Sequence, residues 1–527
     1  MNKCSRRDFL GSLGSFSAAA VIPSMGALAG LATGSLKARA VISQKTDGLG
    51  SKTAVQLAGM IRNKEIGSLE LTQYFIDRIE RVDTQLNAVV VRDFDRAVDA
   101  ARGADAKRLR GDIVRPLHGL PMTIKESFDI AGLPTTWGIP ALLGNVAARD
   151  SDVVTRFKAA GAHFLGKTNV PLGLGDFQTH NDIYGTTRNP WNLDRIPGGS
   201  SGGSAATLAA GMTALDSGSD IGGSIRNPAH YCGVYGHKPT WGVISGRGHS
   251  VPGMEAPPDL AVVGPMARSA EDLALALELI AGPSALDAPG WQLKLPPPRA
   301  TALGDYRVAV WATDELSPAS SAITNRIHEV ADALGKSGAT VSEVARPEFS
   351  ARESHYTYLS LLNSFLSAGL SDSEYQAAKE NAAGFDPSDQ SSEAMDARAK
   401  VLEHRDWLRF HNDRTRIRRQ WQSFFKDWDI VLCPIMVTTA FPHDHSPPDS
   451  RTILVDGVET PYWDQVFWAG LATLAFLPST VFPTGLAADG LPIGLQAISA
   501  EYNDRTTIEF SRLLAREIGA FVPPPAF

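Results

Sequence analysis

From Ala54 to about residue 280 the chain alternates stretches of helical apolar spacing with short apolar runs. That alternation restricts it to an α/β layered architecture rather than an all-α or all-β one. Ala54 to Val82 carries apolar residues at helical spacing and predicts a helix. Pro121 to Lys125 and Ala162 to Gly166 predict short buried strands, with Ser151 to Ala160 as the helix leading into the second. Beyond the Pro-rich connector Leu295 to Arg299 a strand resumes at Tyr306 to Val310. Trp407, Phe410, Arg414, Ile417, Trp421, Phe424 and Trp428 then recur at alternating spacings of three and four. They mark an amphipathic, core-facing helix within 400–428 whose Arg414 requires a partner. Asp429 to Pro434 reads as one more buried strand.

Residues 1–40 read as a targeting segment and are set apart from the fold. Ser5-Arg6-Arg7-Asp8-Phe9-Leu10 places twin arginines before a Ser/Ala/Gly/Leu-rich apolar stretch that ends at the small-residue site Ala38-Arg39-Ala40. Ala27-Leu28-Ala29 is a second possible cut. Gly11, Gly14, Pro23, Gly26, Gly30 and Gly34 interrupt the stretch too often for a spanning helix. The pattern predicts export to the periplasm or beyond. Residues 41–527 then carry 45 basic and 56 acidic side chains, a net charge of −11. An acidic chain of this kind favours neither nucleic acid nor an anionic membrane surface. Only Cys232 and Cys433 remain after the leader, and their apolar surroundings predict buried free thiols, although one disulfide is conceivable in an oxidising compartment.

The chemistry is concentrated in two glycine- and serine-rich stretches, Gly198-Gly199-Ser200-Ser201-Gly202-Gly203-Ser204 and Gly218-Ser219-Asp220-Ile221-Gly222-Gly223-Ser224-Ile225-Arg226. A phosphate-binding P-loop needs a lysine after its last glycine, where Ser204 stands. Gly199 to Gly203 also matches the G-x-S-x-G nucleophile elbow, which would select Ser201. An elbow follows a strand, however, and Asn189 to Pro197 is turn material. A flexible linker is excluded because the glycines run straight into the apolar, helix-like Ala205 to Ala210.

Taken as a pair, the two stretches resemble the amidase signature family. The likeness extends to Pro121 to Lys125, Asn189 to Asn192, Cys232 to Gly236, Gly264 to Ser269, Phe482 to Gly485 and Gly490 to Gln496. It covers essentially all of 41–527. The resemblance implies a large mixed β-sheet covered by helices on both faces, in a single domain with a more variable, largely helical segment at about 350–428. It implies Ser224 as nucleophile, Ser200 as proton relay and Lys125 as base, at intervals of 24 and 75 residues that suit the family. It also implies a cis peptide between Gly199 and Ser200.

Residue chemistry agrees with those roles. A serine hydroxyl needs a base within hydrogen-bond reach, and a lysine buried away from water can serve as a neutral amine. Lys125 closes the apolar run Pro121 to Ile124, as such a base should. Backbone N–H groups of Ile221, Gly222 and Gly223 are candidates for an oxyanion hole, where side chains would obstruct the substrate. Arg226 and Asp220 flank the nucleophile and are expected to hold the loop as an ion pair. His443-Asp444-His445 lacks further ligands at zinc spacing and reads as loop surface, so no metal or cofactor is expected. His180, His230, His237 and His249 are given structural roles. One departure from the family pattern is Glu126 after the lysine, where many members carry Asp.

The expected activity is hydrolysis of a small-molecule carboxamide, with ester cleavage as a second capability, by a monomer or homodimer. Trp137, Phe177, Tyr184 and the segment 350–400 are candidates to line the substrate pocket and to favour an aryl or long acyl group. Two alternatives share the motifs: a binding protein with a relic site, and the glutaminase component of a tRNA-dependent amidotransferase.

Overall fold

A computed structural model of the chain describes residues 48–527, apart from 113 and 390. The expected leader at 1–40 lies outside the described residues. The helix expected over Ala54 to Val82 is two, α1 (Ala54–Arg62) and α2 (Ser68–Leu86). Lys64, at φ 64°, turns the chain between them. The Asp105 carboxylate accepts from Ser68 N and Leu69 N (2.9 and 3.0 Å), satisfying two of the N–H groups that a fresh helix start leaves open. Periodicity alone does not reveal that break, because both halves bury their apolar positions in the same core.

A three-stranded sheet follows from β1 (Val89–Arg92), β2 (Pro121–Lys125) and β3 (His163–Thr168), with α3 (Phe94–Arg110) and α4 (Asp152–Ala159) in its connections. Its order is β1-β3-β2, with β2 and β3 parallel. Ser151 caps α4 by accepting from Val154 N (3.2 Å).

The next stretch supplies α5 (Gly202–Ala209), β4 (Leu215–Asp220), α6 (Arg226–Cys232), β5 (Tyr235–Lys238), β6 (Val262–Ala267) and α7 (Ala270–Ile280). After the connector come β7 (Arg307–Val310), α8 (Ser321–Lys336) and β8 (Thr340–Ser342). Four helices then run in succession: α9 (Ala351–Ser367), α10 (Asp372–Ala383), α11 (Ser392–Lys400) and α12 (His404–Phe424). Towards the C-terminus come β9 (Ile430–Cys433), α13 (Val466–Leu474), β10 (Ser479–Leu486), β11 (Pro492–Ile498) and α14 (Asp504–Ile518). Two short hairpins, His180–Asn181 with Gly185–Thr186 and Thr452–Val455 with Val458–Pro461, stand apart from the main sheets.

Eight of these strands form one sheet in the order β8-β7-β9-β11-β10-β5-β6-β4. It is mixed: β7 runs parallel to β8 and β9, while the other pairs are antiparallel. Every residue of β4, β5, β6, β9 and β11 is buried, and β9 accordingly reads as a continuous apolar run without alternation. Helices surround the sheet, as the family fold requires, and Gly50–Phe527 forms one compact unit.

In α12 the expected stripe holds for Arg414, Ile417, Trp421 and Phe424, all buried, whereas Trp428 stands beyond the helix end. The Arg414 partner is Asp259, whose carboxylate oxygens accept from Nη1 at 2.8 and 2.9 Å. Cys232 and Cys433 are buried and unbridged. Among the described residues no helix is long and apolar enough to cross a membrane.

Candidate active site

The two sheets meet where β2 lies against β4. Thr123 and Lys125 are two apart on β2, so their side chains leave the same face. Thr123 Oγ1 donates to Asp216 Oδ2 on β4 (2.6 Å). Lys125, fully buried, donates from Nζ to Ser200 Oγ (2.6 Å) and to Ser219 Oγ (2.9 Å). Burial lowers the Lys125 ammonium to about 7, against the opposing pull of the Asp220 and Asp216 carboxylates. Near neutral pH a large share of this lysine is therefore the free amine. Burial also pushes the Asp216 carboxyl up to about 7, against its hydrogen bonds from Thr123, Ser204 and Ser217.

Ser200 stands in the irregular turn before α5, and the Gly199–Ser200 peptide is cis. Asn227 clamps that turn, accepting from Gly199 N at Oδ1 (3.0 Å) and donating from Nδ2 to the Gly199 carbonyl. A Cβ on Gly199 would fall 2.4 Å from Asp176 O and 2.6 Å from Gln178 O, so only glycine fits there. Ser201 is turned away: its Oγ is 3.4 Å from both Ser219 O and Ser219 N, and it opens α5 without a strand before it. The elbow reading therefore has no structural support. Ser201 N donates to Ser224 O (3.1 Å), which sets the Ser200 turn beside the Ser224 turn.

Ser224 follows β4 in the tight turn into α6 and is 7 % exposed. The turn is fixed by Asp220, whose Oδ1 accepts from Gly223 N (3.0 Å) and whose Oδ2 accepts from Ile225 N (3.1 Å). Burial would raise the Asp220 carboxyl, but the Arg226 guanidinium, bonded at 2.8 and 3.0 Å, outweighs it and holds the group below the usual range. Arg226 spends its other donors on Ala469 O, Thr473 Oγ1 and Gln496 Oε1, tying the turn to α13 and β11. It acts as the loop-holding ion pair expected from its position.

The oxyanion candidates separate. Gly223 N–H is committed to Asp220, whereas the N–H groups of Ile221, Gly222 and Ser224 have no protein acceptor among the described residues. Counting glycines along the chain gives no way to see which amides an Asp side chain has already occupied.

The aromatic candidates do not converge. Glu126, in the turn that follows β2, accepts from Thr136 N (2.6 Å), Thr136 Oγ1 (2.8 Å), Trp137 N (2.9 Å) and Tyr184 Oη (3.2 Å). It thereby joins Trp137 to Tyr184. The Trp137 ring lies against His249 (4.9 Å), and its Nε1 is buried with no partner among the described residues. Tyr184 also borders a hollow of about 530 Å³ with Asp83, Asn87 and Arg92. Phe177 belongs to a separate cluster with Tyr462 and Trp463, between the two residues whose carbonyls face Gly199. A larger hollow of about 910 Å³ beside Lys107, Arg115 and Arg156 holds none of the motif residues. The convergence of buried Lys125 and Ser200 is the better guide to the chemistry.

His230 bonds Gly494 and Thr438, His237 bonds Thr480 and Asp504, and His249 bonds Ser127. His180 bonds Thr186. The His443 and His445 rings are 6.1 Å apart, and no group of three potential metal ligands occurs among the described residues. Sequence reasoning passed over Ser219 and Asp216, because a serine or aspartate inside a strand carries no signal until the strand crossing it is known.

The Amidase family model matches residues 70–508. The chain is 32 % identical to an indoleacetamide hydrolase of Bradyrhizobium diazoefficiens over 472 residues, covering 89 % of this chain and 86 % of that protein. It is 34 % identical to a glutamyl-tRNA(Gln) amidotransferase component of Roseiflexus sp., covering 84 % and 92 %. Among solved structures, a bacterial aryl acylamidase of the amidase signature enzymes superposes with a TM-score of 0.75 at 26 % identity, covering 89 % and 96 %. The chain belongs to the amidase family and is an amide-hydrolysing enzyme.

Proposed function

We propose that the enzyme hydrolyses a carboxamide through an acyl-enzyme on Ser224. The observation that carries this reading is the fully buried Lys125, lowered to about 7 and bonded to Ser200 at 2.6 Å, with the Ser200 turn held beside Ser224. Ser224 Oγ attacks the carbonyl carbon as its proton passes to Ser200 and the Ser200 proton passes to Lys125 Nζ. The developing oxyanion is met by the unengaged amides of Ile221, Gly222 and Ser224. The relay then runs backwards: Lys125 returns a proton through Ser200 to the leaving nitrogen, the C–N bond breaks, and water releases the acid by the same route.

The substrate class that fits is a small apolar or aryl carboxamide. Support comes from Phe177, whose chain neighbours Asp176 and Gln178 face Gly199, and from relatives named for indoleacetamide and aryl acylamides. The twin arginines at Arg6 and Arg7 support export to the periplasm. A glutaminase reading rests on the likeness to the amidotransferase component. Turnover of a panel of anilides, aryl acetamides and free glutamine by purified protein, together with fluorophosphonate labelling mapped by mass spectrometry, tests the proposal. It predicts labelling at Ser224 and turnover of aryl amides; ammonia release confined to glutamine would favour the second reading.

A further inference from the structure

Three consecutive peptides in the turn before Ser224 are each held at one end. Tyr358 Oη on α9 donates to the Ile221 carbonyl at 2.8 Å. Gly223 N–H is held by Asp220 Oδ1, and the Gly223 carbonyl accepts from Asn227 N at 2.6 Å. In a trans peptide the C=O and N–H point in opposite directions, so fixing one fixes the other. The Ile221–Gly222 and Gly223–Ser224 peptides are therefore pinned by their carbonyls, and their N–H groups are two that no protein acceptor occupies among the described residues.

The two pins differ in origin. Asn227 stands in the first turn of α6, four residues on in the chain, whereas Tyr358 reaches in from a helix 137 residues away. Without an external hold, the Ile221–Gly222 peptide borders a Gly-Gly pair whose backbone has wide rotational freedom. Tyr358 is fully buried, which favours one fixed position for its ring. Gly470 on α13 makes room for it: a Cβ there would fall 2.6 Å from Tyr358 Cδ1. A Cβ at Gly222 would lie 3.7 Å from the Tyr358 hydroxyl, so the contact is immediate.

We infer that Tyr358 is a positioning residue that orients the Gly222 N–H as an oxyanion donor, and so makes the α9 helix part of the catalytic apparatus. This rests on the proposed Ser224 mechanism. The ring touches no reacting atom; it acts through the peptide it holds, and Gly470 keeps the space it needs.

The test uses the full chain with Tyr358→Phe, which removes only the hydroxyl, and Gly470→Ala, which displaces the ring. Each is assayed for kcat and KM on an anilide, for inhibition by phenylboronic acid as a mimic of the tetrahedral state, and for thermal unfolding. Losing one oxyanion donor costs about 10²–10³ in rate. Loosening one through its carbonyl is expected to lower kcat roughly 10- to 100-fold with KM within about threefold, and to weaken the boronate in parallel with kcat/KM. Unchanged boronate affinity in either folded variant, or a Tyr358→Phe kcat within about twofold of wild type, overturns the inference. Failure of the wild-type chain to label at Ser224 would instead remove the hydrolase mechanism, and the orienting role with it.

Discussion

The floor of the site and its cover are built on different principles. The floor, where β2 crosses β4, is made of buried polar groups that satisfy one another within short distances: Lys125 with Ser200 and Ser219, and Thr123 with Asp216. The cover, α9 to α12, is held by apolar contacts and by separate long-range attachments such as Arg414 to Asp259, Arg418 to Glu501 and Tyr358 to Ile221, and its α10 has no buried residue at all. A buried network of that kind tolerates little substitution, because each lost partner strands a polar group in a dry interior. The exposed parts of the cover can change freely, and only particular residues, Tyr358 among them, are tied to the floor.

Substitutions graded from floor to cover should therefore show graded losses. Ser224→Ala is expected to abolish amide turnover, by on the order of 10⁴-fold or more, and to eliminate fluorophosphonate labelling. Lys125→Ala should cost about 10³- to 10⁴-fold in acylation rate while leaving substrate affinity near its original value, read by single-turnover kinetics. Ser219→Ala removes one of the two acceptors that aim the lysine and should lower the plateau rate about tenfold.

Glu126→Gln places an amide where a carboxylate accepts four bonds. It should raise KM more than it lowers kcat and cost about 1–3 kcal/mol of stability in urea unfolding. Lys379→Ala, exposed on α10, should leave activity within about twofold and stability within about 0.5 kcal/mol. A Lys379 variant as damaging as the Ser219 one would break the distinction between floor and cover.

The same distinction sets what was legible in the sequence. Strands β2, β3, β7 and β9 and helices α4 and α12 were readable, because burial writes itself into local apolar spacing. Lys125, Ser200 and Ser224 were singled out through the family resemblance of the motifs that carry them, and the structure brings Lys125 to Ser200 and sets the Ser200 turn beside Ser224. Contacts that depend on how distant elements cross were not readable. Ser219 and Asp216 needed the β2–β4 crossing, Tyr358 needed the seat of α9, and the commitment of Gly223 N–H needed the side-chain rotamer of Asp220. Trp137 and Tyr184 were joined through Glu126, a residue noticed only as a departure from the family pattern.

The central claim is that Lys125 works as a neutral amine, and the pH dependence of acylation tests it most directly. A lysine whose ammonium is lowered to about 7 is inactive as a base below that pH and active above it, so the single-turnover acylation rate should rise through pH 7 and level off. Burial likewise pushes the Asp216 carboxyl up to about 7, and the two groups interact. Asp216→Asn removes a carboxylate that favours the ammonium, so it should move the rise to lower pH without abolishing it. The account predicts a single rise near pH 7 that survives in Asp216→Asn and disappears in Lys125→Ala. A rate independent of pH from 5 to 9, or a rise retained in Lys125→Ala, would contradict it.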